Sequence, residues 1–152
     1  MKKVNHVFAI IFSIAILAAC ASGDSETLKQ ARQIQTDIMK NYSTLDSSLA
    51  AYTERMNESF TIMTADTTLM QDTLKLAEYM ALKTKFNEAD ALKNEMSDWK
   101  GSIKMLPTAD EIAKGAENPF GDKAKDQDIL ASIKKSQEEF AKLKTKVEGA
   151  IK

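Results

Sequence analysis

The sequence predicts an all-α protein: an elongated antiparallel three-helix bundle or coiled coil. Three observations carry this. From Ala21 to Leu106 there is no proline, and of the five glycines only Gly23 and Gly101 lie before residue 107. The same span is rich in Ala, Leu, Met, Lys, Glu and Gln, which give up little conformational freedom in a helix. Apolar residues recur in steps of three and four over long windows, the spacing that gathers them on one helical face.

The chain opens with a segment of another kind. Lys2 and Lys3 form a basic head, Val7–Leu17 is almost purely apolar, and Ala18 and Ala19 precede Cys20, the one cysteine. A run of about eleven residues is well short of the roughly 20 that cross a bilayer. The order basic, apolar, small is that of a processed signal. Leu17-Ala18-Ala19-Cys20 resembles the lipobox that closes a bacterial lipoprotein signal peptide. The resemblance implies a signal helix over residues 1–19, cleavage before Cys20, and a diacylglyceryl group on the Cys20 thiol. Two or more acyl chains hold a protein stably on a membrane, at about 0.8 kcal/mol per buried methylene. The remaining domain then needs no membrane-binding surface of its own. The competing readings are an uncleaved anchor and a plain secretory signal, and the latter needs no cysteine at that point.

Loss of residues 1–19 leaves 133 of the 152 residues, enough for one domain. Lys2 and Lys3 leave with the signal, taking two positive charges from a net charge of −1, so the mature chain carries about −3. That offers no electrostatic footprint for nucleic acid. His6, the single histidine, leaves as well. Zinc sites built on Cys and His are thereby excluded, as are Ser-His-Asp and Cys-His nucleophiles. With one cysteine no disulfide closes within the chain, and stability rests on packing. No cofactor, metal or catalytic residue is expected.

Residues 20–26 read as a tether, and the bundle domain as 27–152. Ala21 rather than Asp follows the cysteine, which by resemblance to Gram-negative lipoproteins favours the outer membrane. Asp24 and Glu26 loosely fit the acidic patch that directs surface export in Bacteroidota-type lipoproteins. Asp24 or Ser25 caps a first helix over about 25–62, accepting from exposed amides of its first turn. Leu28, Ala31, Gln35, Ile38, Tyr42, Leu45, Leu49, Tyr52, Met56, Ser59 and Met63 form its stripe, broken only by Gln35 and Ser59. Lys29, Gln33, Asp37, Lys40, Asp46, Glu54 and Glu58 read as its solvated side. Thr61, Thr64, Thr67, Thr68 and Asp66 favour a turn near 64–67, and Thr68–Gln71 fits a capping box for the next helix.

That second helix is expected over about 67–105. Leu69, Met70, Leu74, Leu76, Ala77, Tyr79, Met80, Ala81, Leu82 and Phe86 cover more than one of its faces. A helix apolar on several sides is covered on several sides, so this helix is expected to be the central one, with Leu74 and Met80 in the core. The rival explanation is an exposed patch for a partner protein. Leu92, Met96, Trp99, Ile103 and Leu106 then return to a narrow stripe, and the scattered methionines read as core filler rather than as a soft-metal cluster. Residues 107–123 form a loop holding a short helix. Thr108–Glu111 is a capping box, Gly115 a helix stop, and Asn118-Pro119-Phe120-Gly121 a turn. Phe120 is expected to pack back on the bundle. The last helix, about 124–151, is marked by Ile129, Ile133, Ser136, Phe140, Leu143, Val147 and Ala150.

Glu95-Met96-Ser97-Asp98-Trp99 on a helix, a loop, and a Lys/Glu-rich terminal helix resemble a group of uncharacterised Bacteroidota lipoproteins often labelled viral A-type inclusion proteins. The resemblance spans roughly residues 60–150, and the loop at 107–125 is longer here. It implies a location and an architecture, and no mechanism. The terminal Lys152 resembles that of the murein lipoprotein, which is joined to peptidoglycan, though the rest of the chain does not. The expected function is a non-enzymatic, membrane-anchored envelope lipoprotein of structural or adaptor type, binding another envelope protein or the cell wall. The alternatives are a small-molecule binder or carboxylate-based enzyme, and a self-associating coiled-coil spacer.

Overall fold

Residues 24–121 and 123–152 are described by the structure, a computed structural model. It is all-α, with helices α1 (Glu26–Ala65), α2 (Thr73–Ser102), α3 (Ala109–Ala113) and α4 (Asp126–Ala150), and no strand among the described residues. The expected signal helix lies outside them. The Ser25 hydroxyl donates to the Asp126 carboxylate, joining the starts of α1 and α4. Phe60, near the end of α1, lies edge-on to both Tyr79 and Phe86 of α2. So α1 and α4 run parallel, and α2 returns antiparallel to both.

The core alternates between apolar residues from these three helices. α1 contributes Ala31, Ile38, Tyr42, Leu45, Leu49 and Met56, and α4 contributes Ile129, Ile133, Phe140, Leu143 and Val147. α2 buries only Ala89, Met96 and Trp99. Each fully buried large apolar side chain is worth roughly 1.5–3 kcal/mol over its exposed state, so α1 is the spine of the molecule. This corrects the expectation that α2 is central. Leu74 is 77% exposed and Met80 54% exposed, and neither belongs to the core. The physical reason is length. At 1.5 Å per residue the 40 residues of α1 span about 60 Å, and the 25 of α4 about 37 Å. Toward its start α2 therefore has α1 beside it and no second neighbour, and the apolar residues on its other sides face outward.

An aromatic node ties the three helices at mid-height. Trp99 stacks on Tyr42 with centroids 5.8 Å apart and lies 5.0 Å from Phe140. Burial pushes the Tyr42 hydroxyl above its usual range, helped by the nearby Asp46 charge, and Lys100 sits over the Tyr42 ring at 5.0 Å.

Helix ends differ from the sequence reading where side chains compete for backbone groups. Ser25 caps α1 by accepting from the Leu28 amide. α1 runs on through Thr61 and Thr64, whose hydroxyls donate back to the carbonyls of Asn57 and Phe60, one turn earlier, and so do not compete for the amides ahead. The turn falls at 66–72, and Thr68 does not cap α2. Its amide and hydroxyl instead bind the Asp66 carboxylate, and Asp72 caps α2 by accepting from the Leu74 and Lys75 amides. Lys75 reaches back to Asp66 at 2.6 Å. This bond, with those from Thr68, holds the Asp66 carboxyl well below the usual carboxylate range. α2 stops at Ser102 rather than near 105, since Pro107 disfavours helix just before it.

Gln35, which breaks the α1 stripe, has a backbone task. Its side-chain amide donates to the Leu106 carbonyl at 2.9 Å and accepts from the Leu106 amide at 2.8 Å. One amide side chain thus replaces the helix partners that the extended residue has lost. α3 shows the capping box on Thr108 and Glu111. Gly115 ends it at φ +88° and Gly121 closes the next turn at φ +84°, conformations that favour glycine. Phe120 packs against the cluster of Ala31, Leu106, Ile129 and Ile133, as its sequence context suggests.

Candidate functional site

Cys20 and the lipobox residues Leu17, Ala18 and Ala19 lie outside the described residues. The described chain starts at Asp24, four positions after Cys20. The Arg32 guanidinium fixes that start: Nε donates to Asp24 at 2.6 Å and a terminal nitrogen donates to the Pro107 carbonyl at 2.6 Å. A chain attached through Cys20 would thus join the bundle at the end where α1 and α4 begin. Among the described residues no helix is long and apolar enough to cross a membrane.

The same end carries a groove of about 710 Å³ between the 103–125 connection and the helices. Leu28, Leu106, Ile112 and Ile129 supply its apolar lining, and Asp24, Arg32, Glu117 and Asp126 its charges. Three of those charges are already engaged, Arg32 with Asp24 and Pro107 and Asp126 with Ser25, which leaves the exposed Glu117. A single exposed carboxylate is short of the several convergent polar groups that fix a small ligand's orientation. Among the described residues no three His, Cys, Asp or Glu side chains gather as a metal site.

The opposite end has a different character. The end of α1, the turn and the first half of α2 form a two-helix arm. Phe60, Tyr79 and Phe86 clasp its inner side. Ile62, Met70, Leu74 and Met80 stand on its outside, 74%, 79%, 77% and 54% exposed. Among the described residues the other large exposed apolar side chain is Ile112, at the groove. Four of the five large exposed apolar side chains among the described residues thus stand at one end of the rod. The sequence signals Met70, Leu74 and Met80 as part of an unusually wide apolar surface and gives no sign of Ile62, and a stripe count does not reveal where a third helix ends. The Asp66–Thr68–Lys75 network stiffens the tip they surround.

No protein-family model, curated protein or solved structure matches the chain.

Proposed function

We propose that this chain is a lipid-anchored envelope protein of non-enzymatic adaptor type. In this reading residues 1–19 are removed, Cys20 carries a diacylglyceryl group in the outer membrane, and the bundle projects its apolar arm toward an envelope component. The observation that carries it is the placement of Ile62, Met70, Leu74 and Met80 at the end of the rod remote from residue 24. A membrane attachment at one end and an uncovered apolar surface about 60 Å away, the length of α1, suit a protein that holds something at a distance from its membrane. The absence of histidine after His6 supports a binding role over a hydrolytic one. The location rests on Ala21 after the cysteine and on the resemblance of Leu17–Cys20 to a lipobox.

Cys20→Ser tests the anchor. The variant is expected to lose palmitate labelling completely and to leave the membrane fraction, while the wild-type chain retains both. Continued labelling of the variant rejects acylation at Cys20. Crosslinking of the wild-type protein in its native membrane, followed by capture through an arm residue, identifies what the arm touches.

A further inference from the structure

We propose that the outer face of α2 binds a second copy of this chain in the antiparallel sense, so that two copies join arm to arm and link two facing membrane surfaces. This deepens the adaptor reading by naming the occupant of its apolar surface. It rests on that reading only for the anchors at the two ends.

In the arm, α2 carries two apolar stripes. Tyr79, Leu82 and Phe86 form the inner one, with Tyr79 and Phe86 clasping Phe60 of α1 and Leu82 packing on the core. Leu74, Ala77, Ala81 and Thr84 lie on the other side and are all exposed, with Met80 at their border. Their steps of three, four and three are the spacing at which one helix packs along another. This outer stripe is not the place of α4. Trp99 is the residue of α2 that meets Phe140 of α4. Leu92, Lys85 and Glu78 continue its heptad position toward the arm, and that position is the flank of the outer stripe, not its middle. A helix laid on the stripe therefore stands beside the line of α4. α4 itself ends by Ile151, which borders Ser48 and Arg55 of α1. Since Phe60 lies between Tyr79 and Phe86, Glu78 and Lys85 stand past that end.

Charge complementarity points to a second copy and sets its direction. Glu78 and Lys85 flank the stripe on one edge, one heptad apart. Both are exposed, and neither joins the ion pairs found among the described residues. When two identical helices pack antiparallel, this edge of one faces the same edge of the other. A two-fold axis crossing between Leu82 and Lys83 sets Ala81 against Thr84 of the other copy and Leu74 against its Ala91. Glu78 then meets Lys85 of the other copy and Lys85 meets its Glu78, so symmetry forms the pair twice. Glu88, which interrupts the stripe, falls opposite the small Ala77, which leaves room for its carboxylate to reach water. Parallel packing would instead set the charged edge against Thr73, Met80 and Asn87, which carry no charge. Beyond Ala91 the other copy's turn leads away toward its own α1 and clears Glu95, where Lys146 of α4 is bound. Antiparallel copies carry their starts at opposite ends. From Glu26 to the level of the axis near Phe60 is about 35 residues of α1, so the two anchors stand roughly 100 Å apart.

The test uses the full chain, acylated and solubilised in excess detergent so that no micelle gathers two unassociated copies. Mass is followed by sedimentation across a concentration series. The wild-type chain is expected to associate into two-copy particles. Glu78→Lys alone sets two ammonium groups together at each pairing, and Lys85→Glu alone sets two carboxylates together. Each is expected to weaken association about tenfold, the scale of two reversed rim pairs. The double variant Glu78→Lys with Lys85→Glu restores opposite charges at both pairings and is expected to restore wild-type association. Leu74→Asp is expected to leave a single-copy species. All three sites are exposed, so unchanged circular dichroism confirms that folding is retained. A wild-type chain that remains single-copy at every concentration overturns the proposal. So does association indifferent to these variants, or weakening by both single reversals without rescue in the double. Reconstituted in phosphatidylcholine vesicles, the acylated wild-type chain is expected to cluster them and Leu74→Asp to leave them dispersed; dispersed wild-type vesicles overturn the link between facing surfaces. Lipid on Cys20 is read from the same preparations. An unacylated chain that associates with charge rescue removes the anchors and leaves the pairing standing.

Discussion

Trp99→Ala is expected to destabilise the bundle by about 3–5 kcal/mol, the range for removing a large buried aromatic. Trp99 is the residue at which all three long helices meet: it stacks on Tyr42 of α1 and packs against Phe140 of α4. Its loss opens a cavity that no one helix can close without parting from another. One term opposes the loss. The indole Nε1 is buried with no hydrogen-bond partner among the described residues, and an unsatisfied donor costs about 1–3 kcal/mol. Trp99→Phe removes that donor while keeping most of the ring contacts, so it is expected to be far milder than Trp99→Ala. Denaturant midpoints of the three proteins check this. Equal midpoints for Trp99→Ala and wild type would show that the node does not hold the bundle.

Leu49→Ala is expected to cost about 2–5 kcal/mol, and Leu74→Ala less than about 0.5 kcal/mol. Leu49 is 1% exposed, on the helix that both neighbours pack against, whereas Leu74 is 77% exposed on the arm. The comparison separates α1 as spine from α2 as spine, because the two substitutions remove the same atoms. It is made by urea unfolding of the two variants beside the wild type. A large cost at Leu74 with little at Leu49 would reverse the order of the helices.

The fold class is legible in the sequence because the signals for it are local. Step-of-three-and-four spacing, missing prolines and the Thr108 capping box each act within a few residues. The role of α2 is not legible, because burial is not local. The apolar residues around Leu74 and Met80 have the density of a central helix, and only the relative lengths of α1 and α4 decide that nothing covers them. Gln35 shows a related limit. Its interruption of the stripe is visible, but its partner Leu106 lies 71 positions away, and nothing near Gln35 announces it. The turn is displaced for a third reason: Asp66, Thr68 and Asp72 compete for the same few amides, and spacing alone does not rank them. Of the candidate site, residues 17–20, which the proposal reads as a lipobox, stand out in the sequence because they are a short contiguous motif. The arm can be read there only as an anomaly.

A lipid on Cys20 is what ties the bundle to its membrane in this reading. The most direct measurement is the mass of the N-terminal peptide of the mature protein purified from its native membrane. The predicted peptide begins at Cys20 and is heavier than its sequence by a diacylglyceryl group, with or without a further acyl chain on the amine. A peptide that retains Met1, or begins at Cys20 with an unmodified thiol, contradicts it.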